Sequence, residues 1–197
     1  MYLKGIKLLE LDRKSQIIKT AVKRFARHGL GKTTLEEIAG DLRIGKATIY
    51  NYFTSKEELF YEALIWDSNL ILEDIKFILN NTKQSFENNF VQYINYKTTV
   101  LEKYKLIYDL IILLFQDSTH EKEREILKNM LNEEEKIVQS SLTNELKKRK
   151  KTTGIKSVRN IVLTSWGLIY SNQLNMIKDE GKELKLDDIA LLMFNNL

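Results

Sequence analysis

Apolar residues recur in pairs four apart over residues 15–28: Ile17/Ile18, Ala21/Val22 and Phe25/Ala26. That spacing lays one stripe along a helix. Gly29 and Gly31 follow, where a helix stop is expected. The next segment, TTLEEIAGDL, opens with Thr34 three residues before Glu37, the spacing of a capping box. A short helix with Leu35, Ile38, Ala39 and Leu42 inward is predicted there. Arg43, Ile44 and Gly45 make a three-residue connection to a second short helix over 46–53, anchored by Ile49 and Phe53. Ser55 and Glu58 give another capping box, opening a long helix from Lys56 to about Leu79 whose apolar positions cover more than one stripe.

Beyond a polar turn at 80–84, the pattern predicts an aromatic-rich helix over 85–101 and another over 104–115. A long charged helix over 119–150 and a strongly apolar one over 155–177 follow. The loop KDEGKELK then leads to a last short helix over 187–194, capped by Asp187. Proline is absent and glycine numbers 8 in 197 residues, too few for the tight turns of an all-β chain. The fold class is therefore all-α, with about nine helices. The expected domains are 1–56, a three-helix head, and 57–197, a larger helical domain joined to it by the long helix.

Composition narrows the chemistry. There is no cysteine, so disulfides, thiolate metal sites and cysteine nucleophiles are excluded. Two histidines, His28 and His120, do not make a metal cluster, and neither has partners for catalysis. No metal, cofactor or enzymatic activity is expected. The longest apolar run, Leu110 to Phe115, falls far short of the ~18 residues of a membrane span. A soluble cytoplasmic protein is expected. The formal net charge is +4, unevenly spread: residues 1–56 carry 12 Lys+Arg against 5 Asp+Glu, which is +7 and leaves −3 for the rest. A basic head on a slightly acidic body suits a local polyanion contact, or is only a solvated basic face.

Two short helices across a three-residue turn, set on a preceding helix, make a helix-turn-helix. With Ile49 and Phe53 turned inward, the second helix presents Lys46, Ala47, Thr48, Tyr50, Asn51 and Tyr52 outward or at its flanks. Small and polar groups at such an N-terminus can approach base edges. Thr34 and Lys56 lie at the two shoulders, where hydroxyls, amines and helix N-termini grip phosphates.

The run AVKRFARHGLGKTTLEEIAGDLRIGKATIYNYFTSKEELF resembles the DNA-binding domain of the TetR family of bacterial transcription regulators. It has the Ala-aromatic helix, the glycine loop, Thr-Thr, the Ile-Ala pair, then Lys-x-Thr-Ile-Tyr-x-x-Phe and Ser-Lys-Glu-Glu-Leu. The resemblance covers about residues 17–64; the remainder agrees in length and helical character alone. It implies base and phosphate contacts by Thr34, Gly45, Lys46, Ala47, Thr48, Tyr50, Asn51, Tyr52 and Lys56. It also implies a dimer formed by the last two long helices, here 155–177 and 187–194, and a ligand cavity inside the C-terminal domain. Val158, Val162, Ile169, Gln173, Ile189 and Met193 are the candidate dimer residues. Trp66, Phe90, Tyr93, Tyr108, Phe115, Trp166 and Tyr170 are the pocket candidates, their polar handles suiting a largely hydrophobic ligand; each reads equally as core.

Three positions depart from the family's pattern. Arg43 stands where glycine is usual in the turn, and strains it if φ is positive. Gly45 replaces a capping Ser or Thr. Ala47 replaces a glycine and brings a methyl group toward the bases. The Tyr50 hydroxyl reads as a phosphate contact or as packing, Asn51 as a reader of adenine or a phosphate or water ligand. Residues 1–14 read as a DNA arm or a frayed end. Asp109 reads as exposed or as a buried partner for a cation. The expected function is a homodimeric, ligand-responsive repressor on a near-palindromic operator. The alternative is a DNA-binding protein of the same fold without an inducer, acting architecturally or through a protein partner.

Overall fold

The computed structural model describes residues 2–117, 119–148, 158–173 and 186–195. Among them the chain is all-helical: α1 Tyr2–Lys32, α2 Leu35–Asp41, α3 Lys46–Tyr50, α4 Lys56–Leu79, α5 Phe86–Lys103, α6 Lys105–Gln116, α7 Glu121–Lys148, α8 Val158–Gln173 and α9 Leu186–Asn195. None of these helices is long and apolar enough to cross a membrane.

α1 begins at Tyr2, well before the expected start near residue 15. The added stretch is rich in Leu and Lys, strong helix formers, with no proline to stop them. The expected break at Gly29 is present, with φ 73° and ψ 170° inside α1. α3 is shorter than the expected 46–53, but Asn51, Tyr52 and Phe53 still donate backbone hydrogen bonds to Ala47 and Ile49, so its last turn continues. α4 opens on a variant of the expected box. Ser55 Oγ accepts from Glu58 N at 3.0 Å, while the Glu58 carboxylate reaches one residue further back, to the Thr54 N–H and hydroxyl. Asp187 lies in the first turn of α9, where its carboxylate accepts from Asn95 Nδ2.

The chain forms two compact units, Met1–Asn69 with Tyr104–Ile126, and Leu70–Lys103 with Leu127–Leu197. The first unit packs Ile17, Ala21 and Phe25 of α1 against Ile38, Ile49, Phe53 and Leu59, all buried. Phe25 and Phe60 meet edge to face at 5.2 Å between ring centroids. α6 joins this unit through Leu106, Ile107 and Leu110. Its Asp109 is half-buried and its carboxylate takes Lys105 Nζ one turn away at 2.6 Å, so it faces a lysine of its own helix.

Asp67 of α4 is 4% exposed, and burial raises its carboxyl pKa from 3.8 to about 6. A raised carboxyl pKa penalises the folded state above pH 6, and the penalty fades as pH falls toward 3.8. Asp67→Asn should therefore stabilise the chain by about 1–2 kcal/mol at pH 7.5 and by nearly nothing at about pH 3, below the ordinary carboxyl value. Melting curves at the two pH values check this.

In the second unit α5 packs on α9 and α8. Phe86, Phe90 and Phe194 form an aromatic cluster, with Phe194 6.1 Å and 5.7 Å from the other two. At the centre of this unit lies a buried charged network that the sequence reading did not name. Lys97 Nζ sits 2.5 Å from Glu134 and 2.5 Å from Ser165 Oγ. Tyr93 Oη and Trp166 Nε1 donate to the two Glu134 oxygens at 2.5 and 2.8 Å. The faces of the same two rings flank the ammonium, at 4.6 Å for Tyr93 and 4.8 Å for Trp166. Burial pushes the Lys97 pKa down, Glu134 opposes that, and burial raises the Tyr93 phenol well above its ordinary value.

Candidate nucleic-acid interface

The turn between α2 and α3 is built by hydrogen bonds that cap the C-terminus of α2. Ile44 N donates to Ala39 O at 3.0 Å and Arg43 N to Gly40 O at 3.1 Å. This pair of bonds is the Schellman pattern, and it places its positive-φ residue at Arg43, φ 53°. The strain expected from an arginine at this position is thus present. Arg43→Gly should raise stability by about 0.5–1 kcal/mol. It should also flatten the salt dependence of DNA binding by about 0.9 if the guanidinium neutralises one phosphate. Denaturant titration and binding isotherms separate the two effects.

α2 is held at its start by a full capping box. Thr34 Oγ1 accepts from Glu37 N at 3.3 Å, and Glu37 Oε2 accepts from Thr34 N at 2.9 Å. Thr34 itself is exposed. The bond to the Thr34 amide is the main cause of the lowered Glu37 pKa. On the far side of α2, Arg24 clamps Asp41 with two hydrogen bonds of 2.6 Å, depressing the Asp41 carboxyl.

α3 starts after Gly45, which is extended at φ −74° and ψ 145° and offers no side-chain cap. Ile49, fully buried, and Phe53 fasten it to the unit. Lys46, Ala47 and Asn51 are exposed, Tyr50 is 48% exposed, and Thr48 and Tyr52 are half-buried. The exposed side of this short segment thus carries a cation, a methyl group, a phenol and a carboxamide, with the Thr48 hydroxyl at its flank. Lys46 Nζ lies 2.5 Å from Glu36 of α2 and 5.5 Å from the centre of the Tyr50 ring. Glu36 is the neighbour that the sequence reading passed over.

Lys56 is placed differently from an outward shoulder lysine. It is half-buried, and its ammonium donates to the Leu30 carbonyl at 2.8 Å and the Thr33 carbonyl at 3.1 Å. Its first role is to tie the α1–α2 connection to the start of α4.

The aromatic pocket candidates divide between the units. Trp66 and Tyr108 belong to the first, and the Trp66 ring lies under Lys19 Nζ at 5.4 Å. Phe90, Tyr93, Trp166 and Tyr170 belong to the second, where Tyr93 and Trp166 serve the Lys97–Glu134 network. The side chain of Phe115 lies outside the described residues. A cavity of about 460 Å³ in the second unit has a mostly polar lining, including Asn80, Gln84, Asn89, Ser141 and Asn144, and none of the aromatic candidates lines it.

Three of the six candidate dimer residues are buried within the single chain. Val158, Val162 and Ile169 are 3%, 1% and 1% exposed within the single chain, so its own core uses them. The outward side of α8 carries Arg159, Asn160, Leu163, Thr164 and Gly167. Ile189 and Met193 of α9 are half-buried, and the side chain of Gln173 lies outside the described residues.

Residues 17–63 match the family described as bacterial regulatory proteins, tetR family. The uncharacterized HTH-type transcriptional regulator YhgD of Bacillus subtilis is 43% identical over 54 residues, covering 27% of this chain and 28% of YhgD. The probable acrEF/envCD operon repressor of Escherichia coli is 36% identical over 67 residues, 34% of this chain and 30% of that protein. The chain thus spans less than a third of the length of these curated relatives. Over nearly its whole length it shares a fold with the transcriptional regulator FadR of Bacillus subtilis, solved in complex with stearoyl-CoA. The TM-score is 0.60 at 19% identity, covering 89% of this chain and 92% of FadR. The matched stretch, residues 17–63, is the part built in three dimensions as a helix-turn-helix, so the likeness to the tetR family of bacterial regulatory proteins rests on this segment of the chain.

Proposed function

We propose that this chain is a ligand-responsive, homodimeric DNA-binding transcriptional regulator, acting as a repressor on a near-palindromic operator. The observation that carries the reading is the exposed row on α3, Lys46, Ala47, Tyr50 and Asn51, held by the buried Ile49. A rigid helix with that face outward suits the major groove, and two of them about 34–36 Å apart would take successive grooves. Thr34, Gly45, Thr48 and Tyr52 flank the row and supply the phosphate contacts, with Arg43 beside them. Lys56 acts by positioning as well as by charge. The three-helix head and the helical remainder divide the work as 1–56 and 57–197.

Dimerisation is proposed through the outward sides of α8 and α9. Leu163 and Leu192 are 45% and 65% exposed there, and a Cβ added at Gly167 would meet open space. The ligand is a largely hydrophobic small molecule bound in the helical remainder, and the stearoyl-CoA of FadR makes long-chain acyl thioesters the first class to test. Ligand and DNA are coupled only if the ligand binds one conformation better than the other.

The test is selection of bound duplexes from a genomic library by the full chain. Screening of acyl thioesters and other apolar metabolites for release of the best duplex follows. A near-palindromic selected site bound by a dimer, and its release by one compound class, is the expected result. Release by none of them favours the inducer-independent alternative. No enrichment of any duplex overturns the regulator reading.

A further inference from the structure

α2 carries three carboxylates, Glu36, Glu37 and Asp41. Two have structural duties: Glu37 closes the capping box on Thr34, and Asp41 holds Arg24 in a two-bond clamp. Glu36 caps no helix and bridges to no core residue. Its carboxylate is 62% exposed and lies 2.5 Å from Lys46, the first residue of α3. Lys46 is in turn the one cation within α3.

We infer that Glu36 is an internal stand-in for a DNA phosphate, an attenuating residue that occupies Lys46 until DNA displaces it. The inference rests on the DNA-binding reading above. Binding then exchanges one ion pair for another instead of forming one outright. The lost pair subtracts from the affinity, and the freed carboxylate is left facing a polyanion. Each partner also shifts the other as a true pair does, Glu36 downward and Lys46 upward, with their mutual hydrogen bond the largest cause. Glu36 is tethered to the same head, so its effective concentration at Lys46 exceeds that of any free anion. An exposed pair of this kind is modest in strength and weakens with salt. The attenuation is therefore a tuning device, not a block.

The test uses the full chain and two probes, a duplex selected by the wild-type protein and a scrambled duplex of equal length. Glu36→Gln should bind the selected duplex about fivefold tighter at low salt, with the gain shrinking as salt rises. In a Lys46→Ala background the same substitution should give a clearly smaller gain, because no cation is left to release. Both sites are exposed, so folding is checked by an unchanged melting curve. Weaker or unchanged binding by Glu36→Gln overturns the inference, the former showing that Glu36 instead presents Lys46 to DNA. An equal or larger gain in the Lys46→Ala background also overturns it, since simple repulsion would then explain everything. A wild-type chain that does not distinguish the selected from the scrambled duplex removes the DNA-binding reading itself, and this inference with it.

Discussion

Lys97→Met is expected to lower the stability of the chain by about 3–5 kcal/mol, the cost of leaving a buried charge without its partner. Lys97 is fully buried, and so is the Glu134 side chain that it pairs with. Remove the ammonium and Glu134 keeps two donors, Tyr93 Oη and Trp166 Nε1, but no counter-charge. Ser165 keeps its bond to the Val162 carbonyl and loses the one from Lys97. For a chain of this size the melting temperature should fall by roughly 10 °C, at ~2–4 °C per kcal/mol. Adding Glu134→Gln should recover part of the loss. The carboxamide oxygen still accepts one of the two donors, and no charge remains to be buried. Thermal unfolding followed by circular dichroism decides it. A Lys97→Met protein melting within about 2 °C of wild type would show that the pair carries no such cost.

Ala47→Glu is expected to weaken binding to the selected duplex at least a hundredfold, about 2.8 kcal/mol, without lowering the melting temperature. Ala47 is exposed in the first turn of α3, so a longer side chain breaks no packing there. A carboxylate near a helix N-terminus is even favoured. Against DNA the same group meets phosphates of like charge and fills the space through which α3 would approach base edges. Each lost base or phosphate contact is worth ~1–3 kcal/mol, so the repulsion and the lost approach together reach that size. Ala47→Ser, small and neutral, should stay within about threefold of wild type. Gel-shift or anisotropy titrations provide the comparison, and comparable affinities for the glutamate and serine variants would move the interface away from α3.

The head was legible because each of its rules is local. Thr34 with Glu37, Gly29 as a stop, and Ile49 with Phe53 as anchors lie within a few residues of one another, and the structure shows each as expected. The strain at Arg43 followed from one residue in a turn that wants glycine. The second unit was less legible because its chemistry joins residues far apart in the chain. Yet Lys97 and Glu134 each left a trace. Glu134 sits in the middle of a four-residue repeat of buried positions, Ile126, Met130, Val138 and Leu142. Lys97 falls on the apolar stripe of Phe90, Tyr93, Ile94 and Val100. Opposite charges, each alone on an otherwise apolar stripe, are the signature of a buried pair. The sides of α8 separate on closer reading of its residues. Its outward side is marked by Arg159, Asn160, Thr164 and Gly167, while the candidate residues Val158, Val162 and Ile169 lie on the side that the chain's own core uses.

Lys56 sets how the head can move. Its ammonium pins the Leu30 and Thr33 carbonyls, while Thr33 hydrogen-bonds back to Gly29. The joint between α1 and α2 is thereby stapled to the opening turn of α4. A rotation of that opening turn would pull directly on the α1–α2 joint, because the same two hydrogen bonds connect them.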